Sequence, residues 1–185
     1  MRRSSLFAAM VVLVIATACS VSLKKDDNGQ DKNVDINTPF GGIHVNQNAD
    51  VRDTGLPVYA GARQKKKDDS GDEKSANVNI STSEFGVKVV AVEYESDDAP
   101  SKLAAYYKNE LKKFGNVLEC HSESEDYTYK GDSDELKCEG NKHGNTLELK
   151  VGTKSNQHIV SIKPQGKGSD FALVYVRTRG KDTTI

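Results

Sequence analysis

Three cysteines, four histidines and one acidic, tyrosine-bearing stretch are the residues of this 185-residue chain that offer chemistry beyond packing and solvation. The histidines (His44, His121, His143 and His158) are scattered, without the H-E-x-x-H spacing that sets two imidazoles on one helix face to hold zinc. The cysteines (Cys19, Cys120 and Cys138) form no C-x-x-C pair, so neither a zinc knuckle nor a close-spaced redox couple is written into the chain. There is no G-x-S-x-G elbow, no phosphate-binding P-loop and no G-x-G-x-x-G turn. Gly166-Lys-Gly-Ser-Asp170 is glycine-rich but lies between two strand patterns, where it reads as a hairpin loop and not as a phosphate cradle before a helix. Acidic pairs are plentiful, yet spacing alone converges none of them in a cleft. Catalytic residues, metal ligands and cofactors are therefore each read as none.

Cys19 takes its meaning from what precedes it. Arg2 and Arg3 lead into an apolar run from Leu6 to Ala16, too short to span a bilayer and closed by Ala16-Thr-Ala18. Ala-Thr-Ala suits ordinary signal peptidase, and followed by Cys19 it also looks like a bacterial lipobox, with Ala16 where Leu is usual. Both cut after Ala18, making residues 1–18 a signal peptide. In an oxidising compartment Cys120 and Cys138 pair and Cys19 is left over, so acylation of Cys19 resolves an odd thiol at the new N-terminus. Residues 19–33 are then a lipidated cysteine and a flexible tether, too polar for a core and about 20 Å from end to end as a coil. Ser20 stands where many Gram-negative lipoproteins carry the aspartate that retains them at the inner membrane, and by that resemblance the outer membrane is favoured, with the domain in the periplasm.

Export likewise makes Cys120–Cys138 a disulfide across successive strands, a cross-link of a kind that stabilises by roughly 3 kcal/mol in the chain-entropy model. The loop it closes holds Glu123, Glu125, Asp126, Tyr127 and Tyr129, candidate contacts for an envelope protein partner. Loss of Arg2 and Arg3 takes the formal charge from −1 to −3, so no strong field draws nucleic acid.

The elements around these residues predict an α+β fold. Asp97 or Asp98 as cap, Pro100 in the first turn and Gly115 as stop delimit one amphipathic helix, with Leu103, Tyr107, Leu111 and Phe114 on a single stripe. Alternating or fully apolar segments flank it on both sides. These are Val34–Val45 as a hairpin, then Asn77–Thr82 and Val87–Tyr94, and after the helix Asn116–Cys120, Glu135–Glu139, Thr146–Gly152, His158–Lys163 and Phe171–Thr178. Val87–Tyr94 and Phe171–Val176 are apolar on both sides and belong in the interior, whereas Glu148 and Lys150 give their strand one wet side. Leu56–Ala62 is a short extended entry piece, and residues 63–75 are a mobile charged loop. The expectation is a mainly antiparallel sheet with the helix across one face, forming a single domain over residues 34–185 behind the cleaved signal helix and disordered tether.

Leu-Pro-Val-Tyr-Ala-Gly-Ala62, followed by Val-Glu-Tyr-Glu-Ser-Asp-Asp-Ala-Pro-Ser-Lys-Leu-Ala-Ala-Tyr-Tyr-Lys-Asn-Glu-Leu111 and a glycine, resembles a module of uncharacterised exported bacterial lipoproteins. There a Tyr-Pro-Gly-Ala-type entry precedes an Asp-x-Pro helix start and a Tyr-Tyr pair; here Ala60 replaces the proline. The resemblance carries no established activity and implies a packing role for Tyr106 and Tyr107. The functional expectation is a lipid-anchored, non-enzymatic binding or structural module of the cell envelope. A small periplasmic hydrolase, or an inhibitor or assembly partner acting through the acidic loop, are the alternatives.

Overall fold

The computed structural model describes residues 20–25, 31–66, 74–122, 134–138 and 144–180. Within them, strands β1 (Ser20–Lys25), β2 (Asp31–Thr38), β3 (Gly41–Asn46), β4 (Arg63–Gln64), β5 (Ser75–Thr82) and β6 (Gly86–Ser96) precede helix α1 (Pro100–Leu111). Strands β7 (Leu118–Ser122), β8 (Thr146–Thr153), β9 (Asn156–Gln165) and β10 (Gly168–Arg179) follow it. All belong to one ten-stranded sheet of order β1-β2-β3-β5-β6-β10-β9-β8-β7, with β4 pairing with the end of β6. Every pairing is antiparallel. As the doubly apolar patterns require, β6 and β10 lie at the centre, side by side.

The helix presents Leu103, Tyr107 and Leu111, all fully buried, to a core shared with Val90, Val92, Leu149, Val151, Val160, Ile162 and Leu173. Phe114, the fourth residue of the stripe, sits in a 3-10 turn, Lys112–Phe114, that continues the helix to Gly115 at φ +136°. A second 3-10 turn, Val51–Thr54, lies on the same face and contributes the fully buried Thr54.

Several expectations need correction. The stretch expected to be a coil tether is paired: Ser20–Lys25 runs antiparallel to β2, with Val21 opposite Ile36 and Leu23 opposite Val34. Two alternating aliphatic residues suffice there, because β2 already offers a matching row. The helix is capped by neither aspartate. Pro100 occupies its first turn, so the cap position falls on Ala99, which makes no side-chain capping bond. Asp97 and Asp98 lie before it and bind Arg63 and Lys102 instead. Part of the charged 63–75 stretch is ordered as β4 and the start of β5; residues 67–73 are outside the described residues. Leu56–Ala62 is irregular chain, not an extended strand. Residues 134–138 form no strand, so Cys138 reaches Cys120 from an irregular segment. Finally, Glu148 and Lys150 are buried, at 3 and 7% exposure, and form an ion pair at 2.8 Å. Cys120 is the cross-strand neighbour of Glu148 and shares its face, and its bond to Cys138 carries residues 134–138 onto that side.

Candidate functional site

Tyr59, Asp98, Tyr106 and Tyr107 meet around the start of the helix. Buried Tyr107 points its hydroxyl at the 56–62 segment, accepting from the Tyr59 backbone N–H at 3.1 Å and donating to the Pro57 carbonyl at 3.2 Å. The Tyr59 hydroxyl donates to Asp98 at 2.9 Å, while its ring stands edge-on to Tyr106, which stands edge-on to Tyr107. Tyr107 in turn leans on Phe171, which stacks on Tyr94. Burial pushes the Tyr107 phenol well above its ordinary range, and hydrogen bonds from Lys102 and Tyr59 hold the Asp98 carboxyl below its own. The arrangement is a clasp: a loop with no regular structure is fastened to the helix through side chains.

Beside the clasp, a depression of about 240 Å³ is lined by Arg63, Glu95, Asp97, Lys167, Ser169 and Asp170 among others. All of its charges but Lys167 are engaged by a neighbour. Arg63 makes a two-pronged contact with Asp97 at 2.8 and 3.0 Å and also reaches Glu95 at 2.9 Å, and Lys65 meets Asp170 at 2.7 Å. The Arg63 guanidinium holds Asp97 below the usual carboxylate range, which keeps it ionised and paired at neutral pH and ill-suited to donate a proton. Ser169 is also committed, donating to the Asp98 carbonyl at 2.8 Å.

His158, which spacing did not single out, is the most enclosed imidazole among the described residues. It stacks on Phe114 at 3.8 Å, leans on Tyr175, and Nδ1 lies 2.9 Å from the Thr54 carbonyl. A carbonyl can only accept, so Nδ1 carries the proton; burial lowers the ring's pKa and favours the neutral form. His44 is different, half-exposed with Nδ1 2.7 Å from Asp35. A carboxylate orienting an imidazole is half of a nucleophile-activating arrangement. The depression of about 330 Å³ around it, however, is lined by Asn33, Asn46, Asn77 and Asn79 and by no hydroxyl or thiol.

Those asparagines belong to a wing of the sheet, β1-β2-β3-β5, whose two faces differ sharply. On the side of α1, Asp35, His44, Asn79 and Lys88 are successive cross-strand neighbours. On the other side the register stacks two aliphatic rows. One runs Leu23, Val34, Val45, Val78, Val89, Val176 across six strands, and the other Val21, Ile36, Ile43, Ile80, Val87 across five. At the usual strand spacing the first row is about 24 Å wide. Among the described residues no helix or second sheet packs on these rows, and Val21, Leu23 and Ile43 are 63, 51 and 38% exposed. The outer strands taken alone read as ordinary alternation, and only the register lines their aliphatic residues up with Val87, Val89 and Val176 of the doubly apolar central strands.

Comparison with protein-family models, with curated proteins and with solved structures gave no match. The residues themselves carry the reading.

Cys120 and Cys138 stand at disulfide distance, with sulfurs 2.11 Å and α-carbons 5.3 Å apart. Cys19 and the acidic-loop residues Glu123, Glu125, Asp126, Tyr127 and Tyr129 lie outside the described residues. No cluster of three or more potential metal ligands occurs among those that are described.

Proposed function

We propose that this chain is an exported, lipid-anchored protein of the cell envelope, acylated at Cys19, that acts as a non-enzymatic binding module. In this reading the domain sits in the periplasm, the outer membrane being the favoured site of the anchor. The observation that carries the binding role is the pair of aliphatic rows on the face of the sheet away from the helix. A sheet ordinarily covers its apolar face with another layer, and a continuous apolar patch of this kind marks a surface that meets something else. The fitting occupant is an envelope protein presenting an apolar strand or helix surface of its own. The groove beside the helix supports a structural role for Arg63, Glu95, Asp97 and Asp170, each engaged by a neighbouring charge.

Site-specific photo-crosslinking in native membranes tests this reading. A crosslinker at Val45 or Val89, in the longer row, is expected to capture a discrete protein adduct, while one at Asn79 on the amide side captures none. Equal labelling at both sides, or none at either, would overturn it. Measurable hydrolase turnover abolished by His44→Ala would favour the enzyme alternative.

A further inference from the structure

The strand register gathers a distinctive set of groups at one end of the wing. The β2–β3 turn carries Phe40, 82% exposed, and the β5–β6 turn carries Phe85, 45% exposed. Gly41 pairs with Thr82, so the two turns project from the same end of the sheet. Between them lies an apolar depression of about 200 Å³ lined by Ile36, Phe40, Ile43 and Ile80. At that same end β1 begins, with Ser20 opposite Asn37 and therefore immediately beside the Phe40 turn. The last residues of β10 also arrive there: Arg179 is opposite Gly86 and donates to the Thr82 carbonyl, and exposed Arg177 faces Lys88 across the strands. Glu84 is the acidic residue among them.

We infer that this end of the sheet rests on a lipid bilayer, with Phe40 and Phe85 set into the headgroup–acyl boundary and the nearby arginines toward anionic headgroups. The inference rests on acylation at Cys19. That residue is bonded to Ser20, the first residue of β1, so the anchor lies one strand residue, roughly 3.4 Å, from the sheet. A coil tether would let the domain hang free, whereas a paired strand starting directly after the acylated cysteine brings the Phe40 end down onto the membrane. Aromatic tips beside basic side chains suit such a boundary, where apolar groups bury shallowly and cations meet anionic lipid. The same feature accounts for two large apolar side chains at turn tips, where folding leaves Phe40 mostly and Phe85 nearly half exposed.

The chain contains no tryptophan, so single tryptophans report their own depth. Acylated full-length protein carrying Phe40→Trp, Phe85→Trp or Val58→Trp is reconstituted in phosphatidylethanolamine–phosphatidylglycerol vesicles whose acyl chains are brominated near the headgroup. Val58 is exposed in the segment fastened to the helix start, which follows the opposite end of β6. Emission from positions 40 and 85 is expected to fall about twofold or more, because bromines at that depth meet a side chain set into the boundary. Position 58 should stay bright. Vesicle-bound protein with 40 and 85 as bright as 58 would overturn the docking while leaving the anchor intact. Protein that fails to float with the vesicles would overturn the anchor, and the docking with it.

Discussion

Removing the Tyr107 hydroxyl tests the clasp most directly. In Tyr107→Phe the ring still fills its fully buried site against Phe171, so the hydrophobic contribution is unchanged and no cavity forms. What disappears is the oxygen that accepts from the Tyr59 N–H and donates to the Pro57 carbonyl. Each such bond contributes about 1 kcal/mol net, and a buried partner left unpaired costs about 1–3 kcal/mol. Both backbone groups are only partly enclosed, so water can reach them after a small opening, and the expected loss is about 2 kcal/mol, near the lower end. For a domain of this size that lowers the melting temperature by about 4–8 °C. Urea unfolding gives the free energy, and amide hydrogen exchange should show Tyr59 losing protection ahead of the sheet. Tyr106→Phe is the control, expected to cost under about 0.5 kcal/mol because that ring contributes through edge contacts that phenylalanine retains. If Tyr107→Phe matches the control, or Tyr59 exchange is unaltered, the clasp is not what fastens the 56–62 segment.

Two further outcomes follow from the same geometry. Reduction of the Cys120–Cys138 bond, which spans 18 positions, should lower stability by about 3 kcal/mol and expose the face holding Glu148 and Lys150; a reduced protein with an unchanged unfolding midpoint would refute this. His158 gives the domain an acid-sensitive component. Its folded pKa lies below the ordinary 6.5, so as pH falls through that value the unfolded chain takes up a proton that the native ring refuses. Stability is therefore full above about pH 6.5 and declines on acidification toward the folded pKa; an NMR titration placing the native ring at or above 6.5 would contradict this.

The parts of the fold that could be read in advance are those where side-chain period and burial coincide. Leu103, Tyr107 and Leu111 mark the helix because one face of it is dry, and the doubly apolar Val87–Tyr94 and Phe171–Val176 mark the central strands for the same reason. What escaped were features set by neighbours remote in sequence. Ser20–Lys25 looks like solvated chain until the Val34 and Ile36 row of β2 is beside it. Glu148 and Lys150 look like a wet face until they are found buried and paired with each other, beside the disulfide of Cys120. Asp98 is a reasonable cap by type, but Pro100 sets the helix start too late for it and Tyr59 and Lys102 engage it. His158 carries no local mark, since its partners Thr54, Phe114 and Tyr175 come from three distant segments. The apolar rows needed register, which alternation within a single strand does not specify.

The position of β10 also bears on how the chain comes together. Strands β1 to β6 form one set of hydrogen-bonded neighbours and β7 to β9 another, and among the described strands only β10 joins them, lying between β6 and β9. Among the described strands it is also the last in sequence. The central ladder therefore cannot close until β10 has been made, and closing it brings together segments far apart in sequence, a slow kind of nucleation. Until β10 arrives, the facing edges of β6 and β9 lack the partner that covers them in the finished sheet, and two rows of backbone groups stay open to water or to other chains.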